Sequence, residues 1–194
     1  MKRTKKVTDQ TIQQLIDIAA RLFSENGYHD VSLEEIVQTA QLTRGAVYHH
    51  FKNKKGLFYA VFEQTHERVA EEINKVDEEI QNPWEQLIQG CLLFVQTVSK
   101  ETFYRILLID GPAVLGWQTF RELDQKHSMR LLQEQIEYLQ KNGTIKKTSS
   151  AALTSALSGA INDLSLWVAE QKDKEEATKE AENIINGILN GFRK

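Results

Sequence analysis

The chain is poor in the residues that most often constrain or chemically equip a protein of this size. One cysteine, Cys91, occurs among 194 residues, which excludes an internal disulfide and any zinc site built from several cysteines. Because Cys91 lies in an apolar segment, we expect a buried, inert thiol. Only two prolines occur, and no segment alternates convincingly between apolar and polar residues. The sequence therefore predicts an all-α fold.

Several classes of function lack the residues that they would need. No apolar stretch approaches the ~20 residues that span a bilayer, and the basic N-terminus is not followed by the apolar run of a secretion signal. We find no Ser/His/Asp or Cys/His arrangement for nucleophilic catalysis and no glycine-rich phosphate loop. We therefore expect a cytoplasmic protein that has no membrane partner, is not an enzyme, and requires neither a cofactor nor a metal ion.

The formal net charge of −3 conceals an uneven distribution of charge along the chain. Residues 1–55 hold nine lysines and arginines against six acidic residues, whereas the remainder holds 15 against 21. The first part is thus positive, as a surface that binds phosphates should be. We expect Lys2, Arg3, Lys5 and Lys6 to form a mobile arm, which either contacts phosphates or simply solubilises the terminus.

Residues 32–54 contain two short helical patterns separated by a tight break. Ser32 can cap the first helix, and Glu35 completes a capping box with it. A break at Gln41-Leu42 precedes the second helix, for which Thr43 is the predicted N-cap. Two short helices about a tight turn, the second rich in groups that contact bases and phosphates, are typical of a helix-turn-helix.

The rest of the pattern predicts about nine helices in two domains. A first helix over 8–26 ends at Gly27, and a long helix from Lys54 carries an apolar stripe as far as Val76. Five further helices are predicted over 83–99, 101–109, 117–142, 150–171 and 174–192, with a break at 110–116. We assign residues 1–54 to a helix-turn-helix DNA-binding domain and residues 55–194 to a second, helical domain.

The residues around the two short helices carry a specific resemblance to a known family. They read Gly27-Tyr28-x-x-Val31-Ser32-Leu33-x-x-Ile36, followed by Leu42-Thr43-x-Gly45-x-Val47-Tyr48-x-His50-Phe51-x-Asn53-Lys54-x-x-Leu57. With this pattern the chain resembles the tetracycline-repressor (TetR) family, whose length and helical layout also fit. Val37 stands where that family commonly has alanine, and Gln41 where it usually has glycine. We therefore expect at Gln41 either a left-handed conformation or a slightly different turn.

The resemblance and the side-chain chemistry agree on which residues contact DNA. Arg44 can bond bidentately to guanine, and Gly45 and Ala46 allow a close approach to the groove. His49 is expected at a phosphate or a base edge. The residues expected to contact phosphates are Ser32, Thr43, Tyr48 and Lys54. Lys52 is a further DNA-binding candidate. The alternative for Tyr48 and the two histidines is that they fill a small core and its rim.

The C-terminal part holds more aromatic residues than a minimal helical core requires. Apolar walls with few polar groups are typical of a small-molecule pocket, although a plain packed core explains these residues at least as well. The resemblance implies a mostly hydrophobic inducer, and it implies that residues 55–194 are a helical ligand-binding and dimerisation domain. The residues predicted to line its site are Phe94, Phe103, Leu107, Trp117, Phe120, His127 and Asn162.

One helix-turn-helix gives little specificity, and a twofold dimer on a palindromic operator would supply the rest. The eighth and ninth predicted helices offer an interface through small and apolar side chains. The small ones are Ala151, Ala152, Ala156, Gly159 and Ala160, and the apolar ones are Ile184, Ile185, Ile188 and Leu189. The alternative is that both helices pack only within their own chain.

Two alternative classes of protein are a di-iron helical-bundle enzyme and an architectural DNA-binding protein. The motifs Glu63-x-x-His66 and Asp124-x-x-His127 form half the ligand set of a di-iron helical bundle. We interpret both as solvated helix faces, because Glu63 falls off the apolar stripe and Asp124 has polar neighbours. A ligand-independent architectural DNA-binding protein would not need so large an aromatic-rich body. The sequence favours a repressor that binds double-stranded operator DNA as a homodimer and is released by a mostly apolar small molecule.

Overall fold

A computed structural model describes residues 2–75 and 80–194, with side chains from residue 10 onward. The predicted all-α class is confirmed, since the described residues contain one isolated bridge, between Ile145 and Arg193, and no strand. The α-helices are α1 Lys2–Asn26, α2 Leu33–Thr39, α3 Arg44–Phe51, α4 Lys54–Ile73, α5 Pro83–Val98, α6 Glu101–Tyr104, α7 Gly111–Leu115, α8 Trp117–Lys126, α9 Ser128–Lys141, α10 Ser150–Glu170 and α11 Lys174–Asn190. None of these helices combines the length and apolar content that a bilayer span requires.

The chain forms two compact units, and the first comprises Met1–Thr65 together with Glu101–Phe120. Its core forms because α1 and α4 present apolar residues at helical spacing. Phe23 and Phe58 are fully buried, with their rings edge to face and centroids 5.3 Å apart. Asp110 accepts a hydrogen bond of 2.8 Å from the backbone N–H of Tyr28. A residue remote in sequence thus fixes the loop that leads into α2.

The break predicted at residues 110–116 is wrong, because helical backbone continues through most of this segment. A π-helix over Arg105–Asp110 follows α6, and α7 then runs from Gly111 to Leu115 with Pro112 in its first turn. Proline has no N–H to donate, and its ring crowds the carbonyl four residues earlier. In the π-helical turn before Pro112, the Gly111 N–H donates to the Ile106 carbonyl, five residues earlier. The helix ends instead at Gly116, whose φ is +87°.

The second unit comprises His66–Lys100 and Arg121–Lys194. Its core is built mainly by α5, α9, α10 and α11, and includes Trp84, Val95, Ile136, Leu157 and Ile185. The single helix predicted over 117–142 is wrong. His127 adopts φ −112° and ψ −94°, which divides the segment into α8 and α9. No proline or glycine marks this break, so tertiary packing overrides local helical preference there.

Two boundaries differ from the expectations drawn from the sequence, and a third falls outside the described residues. The backbone of α1 is helical from Lys2. The basic residues expected in a mobile arm, at positions 2, 3, 5 and 6, therefore belong to the first turns of this helix. Val76, the last residue of the predicted apolar stripe, lies outside the described residues. The compact units also divide the chain differently from the predicted domains 1–54 and 55–194, because the first unit includes residues 55–65 and 101–120.

Candidate nucleic-acid interface and small-molecule cavity

The start of α2 is fixed by the predicted cap. The Ser32 hydroxyl oxygen accepts a hydrogen bond of 3.0 Å from the backbone N–H of Glu35, and the Ser32 backbone is extended. This satisfies one of the donors that a helix leaves free at its N-terminus. Ile36 and Val37 then anchor α2 in the core.

The turn between α2 and α3 is a Schellman motif with an unusual residue at its left-handed position. Gln41 donates its N–H to the carbonyl of Gln38 at 3.1 Å, and Leu42 donates to Val37 at 2.9 Å, which is the paired bonding of that motif. Gln41 has φ +55°, so the left-handed alternative is the correct one. The side chain makes this conformation costlier than it would be for glycine.

Helix α3 has one fully buried residue and exposes four of its eight residues. Val47 is fully buried, while Arg44, Gly45, Tyr48 and His49 are exposed. Thr43 occupies the N-cap position, but its side chain makes no capping hydrogen bond. Only its carbonyl takes part, and accepts from Ala46 N–H at 3.0 Å. The exposed Thr43 hydroxyl therefore does not cap the start of the helix.

Arg44, the expected base-contacting residue, is already paired. Its Nε lies 2.5 Å from Oε2 of Glu34, a residue in the first turn of α2. Both side chains are largely exposed, so the pair contributes little to stability. It nevertheless restrains a long side chain close to the turn.

Gly45 is not required by the fold of the protein itself. A Cβ added there would meet only Oγ1 of Thr43, at an ordinary contact distance of 3.6 Å. Gly56 is the contrasting case, since a Cβ there would lie 2.0 Å from the Phe51 carbonyl oxygen. The packing of the chain therefore does not explain a glycine here, which is compatible with the expected close approach to DNA.

The two predicted lysine contacts differ in their surroundings. Lys52 is exposed and follows directly on α3. Lys54 is half-buried, with its Nζ 4.2 Å from the centroid of the Tyr28 ring. Burial lowers the Lys54 pKa, and the nearby Asp110 and Asp30 carboxylates oppose this shift. Of the two, Lys52 is the more available for a phosphate.

The second unit contains a cavity of about 470 Å³. Six apolar residues of its wall are Leu87, Cys91, Phe94, Met129, Leu132 and Ile161. Burial raises the pKa of the Cys91 thiol to about 12, so this residue is the inert thiol expected. A volume and a wall of this kind suit a small organic molecule.

Two of the seven residues predicted to bind a ligand, Phe94 and Asn162, line this cavity. The other five lie elsewhere: Phe103, Leu107, Trp117 and Phe120 belong to the first unit, and the His127 ring stacks on His66 with centroids 6.0 Å apart. Leu107 and Phe120 are buried, whereas Trp117 is 66% exposed. An excess of aromatic residues in the sequence does not indicate which helix face they occupy.

The cavity also contains a buried carboxyl group that the sequence analysis missed. Asp124 is 2% exposed and accepts a hydrogen bond of 3.2 Å from the Ser158 hydroxyl. Burial raises the pKa of Asp124 to about 6, against smaller opposing effects of Ser158 and Arg121. The interpretation of both carboxylate-x-x-His motifs as solvated faces is therefore wrong for Asp124, and for His66, which is also buried. Asp124 follows the buried Phe120 by four residues on α8, so helical spacing already predicted that it lies on the buried face.

The helices predicted to form the dimer interface, α10 and α11, expose small residues as expected. Ala151, Ala152, Ala156 and Gly159 are exposed, and Ala160 is partly so. The apolar residues of α11 differ from expectation. Ile184 is 51% exposed, but Ile185 and Leu189 are buried in the chain's own core and Ile188 packs against it. The predicted broad apolar surface on this helix is therefore wrong, because its apolar stripe faces inward.

Comparison with known proteins gives matches over both parts of the chain. A family model described as bacterial regulatory proteins, tetR family, matches residues 15–61. A second, described as tetracyclin repressor-like, C-terminal domain, matches residues 84–192, more than half of the chain.

Individual relatives agree with these models. The HTH-type transcriptional regulator AcrR of Shigella flexneri is 41% identical over 70 residues, which cover 36% of this chain and 33% of AcrR. The TetC protein of transposon Tn10 from Escherichia coli is 26% identical over 180 residues, covering 92% of this chain and 90% of TetC. The crystal structure of a TetR-family regulator from Pectobacterium atrosepticum superposes with a TM-score of 0.80 at 29% identity, covering 97% of this chain and 96% of that one.

Proposed function

Because the chain belongs to the TetR family of transcriptional regulators, we propose that it is a repressor that binds a palindromic operator as a homodimer. A mostly apolar small molecule releases it from the DNA. The protein acts in the cytoplasm, where its operator is accessible. Membership of this family favours the regulator over the di-iron enzyme and over an architectural DNA-binding protein.

The exposed face of α3 is the observation that carries the DNA-binding part of the proposal. Val47 is the one fully buried residue of α3, and Arg44, Gly45, Tyr48 and His49 are exposed and free to face an external partner. Arginine is the most common side chain in specific contacts with guanine. The exposed Ser32, Thr43 and Lys52, together with the partly exposed Lys54, provide groups that suit the flanking phosphates.

The cavity of the second unit supports the response to a small molecule. Its wall combines apolar side chains with polar ones, which include Asp124, Ser158 and Asn162. This composition favours a ligand with an extended apolar part that a small number of hydrogen bonds orient. We infer that Phe94 and Asn162 contact it. Roles for Phe103, Leu107, Trp117, Phe120 and His127 remain predictions from the sequence.

A dimer formed through α10 and α11 would allow the protein to bind two half-sites at once. Small exposed residues on α10 permit close approach of a second helix, and Ile184 offers an apolar contact on α11. A symmetric interface of this kind would place two copies of α3 on one operator, with spacing that matches the DNA repeat.

We infer that α4 couples the ligand to the DNA. It contributes Lys54–Thr65 to the first unit and its remaining residues to the second. Ile73, its last residue, lines the cavity. A ligand that binds better to the form unable to bind DNA would displace α4, and a 100-fold loss of DNA affinity needs ~2.7 kcal/mol of such a preference.

The decisive experiment uses the inverted repeat nearest to the protein's own gene. Fluorescence anisotropy should show that this DNA binds with salt-dependent, sequence-specific affinity. Apolar and aromatic compounds that raise the melting temperature should then weaken this binding. Ligands that stabilise the protein without changing operator affinity would contradict the proposed induction. A ligand that is required for DNA binding would show the opposite sign of regulation.

A further inference from the structure

The cavity of the second unit has a wall of one charge sign. Its residues include two carboxylates, Asp124 and Glu134, and no lysine, arginine or histidine among the residues that the structure describes. Glu134 is exposed and paired with Arg130 at 2.8 Å, so its charge is largely compensated. Asp124 is therefore the charge that a bound molecule would encounter inside the cavity.

Burial of the Asp124 carboxylate in this position is energetically unfavourable. A buried carboxylate in apolar surroundings loses its hydration, and one neutral hydroxyl compensates only part of that loss. Among the described residues, the hydrogen bond from Ser158 is the one that reaches the Asp124 carboxylate. Arg121 acts on it only at a distance, as the weakest of three influences. Its remaining oxygen has capacity for a further donor.

A second polar group in the cavity needs an acceptor or a donor. Ser128 lies in the first turn of α9 and lines the same cavity. Its side chain is more than nine-tenths buried, and its Oγ has no hydrogen-bond partner among the described residues. Buried hydroxyls are rarely left in this state. A bound molecule with more than one N–H would satisfy both Ser128 and Asp124.

This inference rests on the proposed response to a small molecule, and it specifies the chemical class of that molecule. We propose that Asp124 is an anchoring residue for a cationic effector, an apolar molecule with one primary or secondary ammonium group. The ammonium N–H groups donate to the Asp124 carboxylate and to the Ser128 hydroxyl. The apolar part lies against Phe94, Leu132 and Ile161. Charge-assisted hydrogen bonds in a site away from water are the strongest kind available to such a molecule.

The test uses two probes of nearly the same shape, 4-phenylbutylamine and 4-phenylbutan-1-ol. Their dissociation constants would be measured by calorimetry at pH 7.5, where Asp124 is mainly ionised because its pKa is about 6. The wild-type protein should bind the amine about tenfold more tightly than the alcohol, or better. In Asp124→Asn the two constants should become equal, because the amide keeps the shape and removes the charge.

Glu170→Gln provides the control for a general change in charge. Glu170 is exposed at the end of α10 and outside the cavity wall, so this variant should keep the wild-type preference for the amine. Circular dichroism and operator binding would establish that Asp124→Asn is folded. The proposal is overturned if the amine has no advantage in the wild type, if the advantage persists in Asp124→Asn, or if the amine does not bind at about 10 mM.

Failure of this inference can be separated from failure of the proposed function by measuring operator release. An amine that binds through Asp124 but leaves operator affinity unchanged would support the cation site and contradict induction through it. An uncharged compound that releases the operator, in a protein that shows no preference for the amine, would support induction and contradict the cation site.

Discussion

Glu34 and Arg44 form an ion pair across the helix-turn-helix, with the Nε of Arg44 2.5 Å from Oε2 of Glu34. The acidic residue comes from the first turn of α2 and the basic one begins α3. A guanine contact must therefore either accommodate this pair or replace it. In the proposed complex, the pair would restrain Arg44 near the turn before DNA binds and so reduce the side-chain entropy lost on binding.

Arg44→Ala should cost about 1–3 kcal/mol of operator affinity and relax the preference at one base position per half-site. Anisotropy titrations against the operator and its single-base variants would measure both effects. Lys52→Ala is the control, because Lys52 is exposed and suited to a phosphate. It should weaken all duplexes alike and reduce the salt slope by about one. Unchanged base preference in Arg44→Ala would assign the base contact to another residue.

Gly45→Ala should separate stability from DNA binding. Its Cβ finds ordinary space, and alanine is the better helix former, so the free energy of unfolding should rise by about 0.5–1 kcal/mol. Operator affinity should fall, because the methyl group would lie between α3 and the DNA. Urea denaturation and anisotropy measure the two effects. Gly56→Ala is the contrasting variant and should destabilise the fold, since its Cβ would collide with the Phe51 carbonyl. Full operator affinity in Gly45→Ala would refute a close approach at this residue.

Gln41→Gly should stabilise the protein by roughly 0.5–1 kcal/mol, because glycine adopts φ near +55° without the steric cost of a side chain. Operator affinity should stay near the wild-type value, since the turn geometry does not change. Gly27→Ala is the converse variant. Gly27 has φ +83°, and an added Cβ would lie 3.1 Å from Nη1 of Arg105, so this variant should be destabilised. A loss of stability in Gln41→Gly would mean that the glutamine side chain holds the turn.

Asp124→Asn should stabilise the ligand-free protein, and more so at pH 8 than at pH 5. The folded-state pKa of about 6 lies above the ordinary value of 3.8, so the folded protein binds this proton more tightly than the unfolded chain. The stability linked to Asp124 is therefore present at low pH and lost as the pH rises through about 6. Because asparagine does not titrate, the advantage of the variant should grow by about 1 kcal/mol between pH 5 and pH 8.

Urea denaturation of the wild type and Asp124→Asn at both pH values measures this difference. The comparison removes the effect of His66, which both proteins retain and whose pKa burial lowers to about 3. An advantage that is the same at both pH values would show that Asp124 titrates normally in the folded protein.

Ile184→Asp should weaken the dimer without unfolding the chain, because the side chain is 51% exposed. Ile185→Asp should instead unfold it, since Ile185 is 1% exposed and a buried unpaired charge costs several kcal/mol. Sedimentation velocity gives the association state and circular dichroism the fold. Ile109→Asp is the control and should leave the dimer intact, because Ile109 is similarly exposed, at 47%, but belongs to the first unit. An Ile184→Asp protein that stays dimeric at micromolar concentration would place the interface elsewhere.

The helix-turn-helix was predictable because its determinants are local. Ser32 caps a helix through a residue three positions away, and Gln41 occupies the turn that its neighbours define. The breaks later in the chain depend on distant contacts. The irregular backbone at His127 has no proline or glycine to indicate it. The helical path through Pro112 includes a π-helical turn that local rules do not anticipate.

The site for a small molecule was less accessible from the sequence than the surface for DNA. Trp117 and Phe120 stack on each other with centroids 5.2 Å apart, yet one is exposed and the other buried in the first unit. Aromatic composition therefore indicated neither the unit nor the face that contains the cavity. Asp124 was missed because its sequence neighbours are polar, whereas its spacing from Phe120 along α8 places it on a buried face.

The first compact unit is discontinuous, since Glu101–Phe120 is encoded between two stretches of the second. During synthesis the ribosome releases α1 to α3 well before it releases Asp110, whose carboxylate fixes the backbone at Tyr28. Domains usually fold as they emerge, from the N-terminus onward. Here the N-terminal segment of the first unit cannot complete its fold until Phe120 has been synthesised. A newly made chain therefore has most of its length before it has a complete operator-binding unit.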